Sequence, residues 1–227
     1  MRNGIDWESP DPDDPWAYIG YWGDHQIIYL QKLLELSDSY HPDMLDELLR
    51  NEIFAYANVP YRIKSYKDIV NNPQDTIYFD HDLNDHINNL VKLIGADGRL
   101  LLQNGADAYQ VNFTEKILVT LLVKLSNFIP EAGIWLNTQR PEWNDANNAL
   151  VGNGTSMVTV YYLRRFLKFW NDKFNNASFK TVEISEEVKE FFDLLFSLFA
   201  KNTGILKNGF SNVELRYFTD NLGEAGA

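Results

Sequence analysis

The chain has 227 residues, of which 45% are hydrophobic, enough to bury a sizeable core as one large domain or two small ones. Its 32 acidic residues against 20 basic ones give a formal charge of -12, which repels nucleic-acid backbones, and no basic patch offsets it. Cysteine is absent, which excludes disulfides, thiolate nucleophiles and cysteine-ligated zinc. The N-terminus carries no apolar signal core, and no uncharged run approaches the ~20 residues of a membrane span, so a soluble cytoplasmic protein without membrane contact is expected.

Residues 1–22, rich in Pro, Asp and aromatic side chains, read as an extended leader. A first helix is expected from Asp24, with Ile27, Ile28, Leu30, Leu33 and Leu34 at three- and four-residue spacings. Pro42 suits the first position of a second, with Leu45, Leu48, Leu49 and Ile53 on one face. A third runs from about Asp82 to Ile94 and stops at Gly95. The fourth starts at Thr114 and must end before Pro130. The fifth spans about 155–174, apolar over more than half its circumference, so burial on several sides is expected. The sixth begins at the capping residue Ser185, with Glu186 and Glu187 favourably placed in its first turn. With few alternating stretches between them, these elements predict an all-α chain, either a single domain over 1–227 or a fragment of a larger catalytic domain. Several connections exceed the ~12–15 residues usual for structureless loops, which points to function within them.

The densest chemistry lies between the fourth and fifth helices, from Arg140 to Gly152. Glu142 and Asp145 can donate or accept protons, and the flat indole of Trp143 suits a pyranose ring. The amides of Asn144 and Asn147, with Arg140, match sugar hydroxyls in donor and acceptor roles. By spacing alone, helix capping accounts for the same residues, with Gly152 turning the chain into the next helix. Asp24 and His25 read equally well as a cap with a packed imidazole and as a ligand-facing pair at a helix N-terminus. The pairs His81/Asp85 and Asp82/His86 have the four-residue spacing of metal ligands, but they point to adjacent faces and an acidic, capped first turn explains them better. No metal or other cofactor is expected.

The segment Glu142-Trp143-Asn144-Asp145-Ala146-Asn147-Asn148 resembles the Asp-Trp-Asn-Asp-Gly-Met-Asn segment of the cellobiose and chitobiose phosphorylases, within the six-hairpin (α/α)6 glycosidase group. Gly23-Asp24-His25-Gln26-Ile27-Ile28-Tyr29-Leu30 is similar to the Asp-Asp-His-Leu-Trp segment that opens an earlier helix of that barrel. Asn58-Val59-Pro60-Tyr61 is similar to its Val-Pro-Tyr turn, and Asp80-His81-Asp82 stands where it has Tyr-Glu-His. The resemblance covers roughly residues 18–172. It implies a toroid of helical hairpins of which this chain spans about half, with Asp145 as the general acid, Trp143 in the adjacent sugar subsite, and Asp24 and His25 as supports.

An oligosaccharide substrate follows from that resemblance, with inorganic phosphate as a possible second substrate. A phosphorylase needs one enzymic carboxyl group, whereas an inverting hydrolase needs a second carboxylate about 6.5–9.5 Å away. The sequence departs from the family pattern: Glu142 replaces an Asp, Ala146 replaces a Gly, and the phosphate-binding His and Gln fall beyond the last residue. A non-catalytic sugar-binding or scaffolding domain is therefore the rival expectation. An incomplete toroid would leave helix faces uncovered, from which self-association or a complementary polypeptide is expected.

Overall fold

The computed structural model describes residues 26–105, 107–136 and 152–227. The expected leader, residues 1–22, lies outside them. In chain order a π-helical turn, Gln26–Leu30, leads into α1 (Gln31–Tyr40) and a short α2 (Met44–Leu48). Strands β1 (Phe54–Ala55) and β2 (Tyr61–Ile63) follow, then α3 (Tyr66–Asn71), β3 (Ile77–Phe79) and α4 (His81–Ile94). A 3-10 turn, Gly95–Arg99, leads to β4 (Leu102–Gln103), β5 (Asp107–Ala108) and β6 (Gln110–Val111). Next come α5 (Phe113–Ser126), β7 (Phe128–Ile129), β8 (Gly133–Trp135) and β9 (Thr155–Ser156). The last four helices are α6 (Met157–Asn176), α7 (Glu186–Lys201), α8 (Thr203–Asn208) and α9 (Asn212–Gly226).

The all-α toroid is not what these residues form. Four small antiparallel sheets, β1–β6, β2–β3, β4–β5 and β7–β8–β9, occupy the long connections that the sequence left without structure. Each strand has only two or three residues, below the four to eight needed for an alternating pattern to be legible. The chain is therefore a mixed structure in which helices carry the core and strand pairs staple the connections.

Helix α5 explains the packing. Asn112 caps it by accepting from the Glu115 amide at 3.0 Å, and its apolar residues surround the axis instead of forming a stripe. One side enters a core of Ile27, Leu45, Leu49, Leu163, Phe166 and Trp170, where Trp170 meets Phe113 and Phe169 edge to face at centroid distances of 5.9 and 5.0 Å. The other side enters a second core of Leu122, Leu195, Phe218 and Leu222, shared with α7 and α9. Helix α9 starts with a capping box, Ser211 with Glu214. Helix α6 is held to α1 by Arg165 on Glu35 and Lys173 on Asp38.

Helix α6 is buried along one side only: Leu163, Phe166 and Trp170 face inward, while Tyr161 and Leu167 are exposed, against the expected burial on several sides. In the first helix Ile27, Ile28, Gln31 and Leu34 are buried on one face, while Leu30 and Leu33 lie off it and are exposed. Helix α4 begins as capping chemistry requires, with Asp80 accepting from the Leu83 amide at 2.9 Å and His81 packed edge-on against Phe79. Among the described residues no group of three or more metal-ligating side chains converges, and no helix is long and apolar enough to cross a membrane.

At the start of α5 the Glu115 carboxylate is 2% exposed and accepts three hydrogen bonds, from the Tyr56 hydroxyl (3.0 Å), the Ser185 amide (2.8 Å) and the Ser185 hydroxyl (3.0 Å). Ser185 thereby spends its side chain on Glu115 and makes no capping bond to α7. Burial, followed by the neighbouring Glu115 charge, pushes the Tyr56 phenol well above its ordinary value, so it remains a donor. Lys116 sits 3.9 Å from the Tyr56 ring centroid, its pKa lowered by burial against the opposing effect of Glu115. Replacing Glu115 by Ala strands three donors, and a loss of roughly 3 kcal/mol or more is expected in urea unfolding, with Glu115→Gln intermediate. A loss below about 1 kcal/mol for the alanine variant would show that the cluster does not join these elements.

Candidate functional site

The residues singled out by sequence, Arg140, Glu142, Trp143, Asn144, Asp145 and Asn147, lie outside the described residues, as do Asp24 and His25. The structure does define the two ends of the 137–151 segment. Strands β8 and β9 pair antiparallel, with Ile134 opposite Ser156 and Trp135 opposite Thr155. Beyond them the Leu136 amide donates to the Gly154 carbonyl at 3.0 Å, and the Gly152 amide donates to the Leu136 carbonyl at 2.8 Å. The Trp135 indole N–H also donates to the Gly152 carbonyl, at 3.2 Å. Leu136 and Gly152, which flank that segment, are thus joined in one hydrogen-bonded neck.

Gly152 makes this neck possible. Its φ is +75°, and a Cβ there would collide with the backbone carbonyl of Pro73 at the end of α3. The neck is consequently pressed against the rim of a cleft of about 390 Å³ bounded by α3, the β7–β8 hairpin and α9. Its volume falls in the range of small-molecule pockets, roughly 300–1,000 Å³. Ile63, Ile69, Val70 and Leu215 supply apolar wall, and Tyr66, Phe128 and Trp135 supply aromatic surface.

The polar part of the cleft is built on α9. Arg216 and Asp220 are one turn apart, and the Arg216 Nε donates to both Asp220 oxygens at 2.8 and 2.7 Å. The Tyr66 hydroxyl donates to the same carboxylate at 2.6 Å. Tyr66 can come this close because its ring lies against Gly223, where any side chain would overlap it. Burial, then the bond to Asp220, raises the Tyr66 pKa, so the phenol stays protonated. Burial alone would raise the Asp220 pKa, but the bonds from Tyr66 and Arg216 outweigh it and hold the carboxyl below its ordinary value of 3.8. At neutral pH the cleft therefore presents a phenol, a carboxylate and a guanidinium with no net charge between them. Asn127 lies beside them; its side-chain nitrogen donates to the Val123 carbonyl at 2.8 Å.

Sequence reasoning missed this cluster. The four-residue spacing of Arg216 and Asp220 and the Ser211-to-Glu214 capping signature were both legible, but Tyr66 comes from 154 residues away and nothing local announces it. The chain matches no known protein-family model, and no curated protein is similar to it at significance.

The neck yields a direct comparison. Gly105 has nearly the same φ, +74°, but open space around it, so Gly105→Ala should cost only the left-handed backbone term of about 1–2 kcal/mol. Gly152→Ala must also displace Pro73, and its thermal destabilisation should exceed that of Gly105→Ala by a further ~1 kcal/mol or more. Equal losses would mean that the neck does not press on α3.

Proposed function

We propose that this chain is a carbohydrate-active catalytic segment that cleaves a glycosidic bond, with Asp145 as the proton donor. The observation that carries the reading is the neck: both ends of the motif-bearing segment are tied together beside an aromatic-walled cleft. Both residues that flank the motif segment are held at the rim of a pocket, which supports a catalytic reading because catalysis depends on holding reacting groups beside a bound ligand.

In the proposed reaction Asp145 gives its proton to the glycosidic oxygen as the bond from that oxygen to the anomeric carbon breaks. The bonding electron pair stays on the departing oxygen, and an oxygen of water or inorganic phosphate forms the new bond to the anomeric carbon. Trp143 lines the subsite next to the cleaved bond, and Arg140, Asn144 and Asn147 hold hydroxyl groups. Glu142 stands beside the acid as the second carboxylate of the segment, and Asp24 and His25 support the pocket. Water as acceptor requires a base to activate it, whereas phosphate arrives already nucleophilic.

Asp145→Asn keeps the shape and hydrogen-bonding capacity of the side chain but removes its transferable proton. Turnover of an unactivated oligosaccharide by the full chain should fall roughly 100- to 10,000-fold, with binding retained. Glycan binding without product, unaltered by Asp145→Asn, would instead identify a sugar-binding domain that has lost the chemistry. Omitting inorganic phosphate from the assay separates phosphorolysis from hydrolysis.

A further inference from the structure

Resting on the carbohydrate reading above, we propose that the cleft between α3, the β7–β8 hairpin and α9 is a sugar subsite that takes a neutral pyranose ring of the substrate. Trp135 joins the two regions, since its ring lines the cleft while its N–H holds the neck of the motif segment at Gly152. A ligand entering the cleft therefore lies beside the neck that Leu136 and Gly152 form.

The chemistry of the walls selects the ligand. A pyranose has an apolar face of axial C–H groups and a rim of hydroxyls that both donate and accept. The cleft matches this with aromatic surface from Trp135 and Tyr66 and a polar cluster that offers both roles. Asp220 has acceptor capacity beyond its bonds to Tyr66 and Arg216, and Arg216 uses only Nε, leaving its terminal amino groups without a partner among the described residues. Asn127 likewise has an amide oxygen with no partner among the described residues. The ionised Asp220 cancels the Arg216 charge, and the chain as a whole carries -12, so a phosphate or another anion gains no net attraction here. A neutral polyhydroxyl ring satisfies these groups without burying unpaired charge.

The test uses the full chain and a panel of neutral gluco- and N-acetylgluco-disaccharides, α- and β-linked, titrated by calorimetry. Tyr66→Phe keeps the ring against Gly223 and removes one hydroxyl; Asp220→Asn keeps the shape and removes the charge. Each should weaken binding of the preferred disaccharide at least tenfold, while Asp145→Asn leaves it within about twofold; circular dichroism reports whether each variant stays folded. Tight binding that neither cleft variant alters overturns the subsite and leaves the carbohydrate reading standing. The subsite is equally overturned if wild type proves to be a dimer that the cleft variants dissociate, because a second copy would then fill the cleft. If wild type neither binds nor cleaves any member of the panel, the carbohydrate reading fails and the subsite with it.

Discussion

A buried carboxylate at the first turn of the central helix ties together three parts of the chain that are far apart in sequence. Glu115 receives its hydrogen bonds from Tyr56, in the strand-rich region before α4, and from Ser185, at the start of α7. Such a group is costly to bury unless its acceptor sites are filled, so its three donors are held in register by the penalty for leaving them. That register fixes the axis of α5, and α5 is the helix against which both cores are built.

The candidate site inherits its geometry from this helix. After Asn127 the chain turns directly into β7 and β8, and the Trp135 amide returns to the Asn127 carbonyl at 2.8 Å. The hairpin is thereby referenced to the end of α5, the neck is referenced to the hairpin through β9, and Gly152 seats the neck against α3. Helix α9 reaches the same place by another route, through Phe218 and Leu222 in the second core. The cleft thus forms where two elements that both pack on α5 meet.

Much of the helical frame was legible in the sequence. The helices expected from about Asp82 and from Thr114 begin at His81 and Phe113, and the stop expected at Gly95 is a residue with φ +78°. The strands were not legible, because pairs such as Phe54–Ala55 with Gln110–Val111 are too short to show a period and are defined by partners more than fifty residues away. This is also why the expected toroid gave way: connections that read as long loops are stapled by these pairs. Apolar periodicity overestimated burial in α6, since aromatic residues such as Tyr161 occur on an exposed face as readily as on a buried one. The motif at 140–152 was read from residue types and falls almost wholly outside the described residues, whereas the Tyr66–Asp220–Arg216 cluster exists only once α3 and α9 are side by side.

The central claim is that the motif segment, its neck and the adjoining cleft form one sugar-handling unit. Hydrogen exchange of the full chain, measured with and without a saturating disaccharide, tests it most directly. The account predicts that slowed exchange appears together in peptides covering 137–151, in the neck amides of Leu136 and Gly152, and in α3 and α9 around Tyr66 and Asp220. Ligand binding that leaves these regions unchanged, with protection appearing elsewhere, would contradict it.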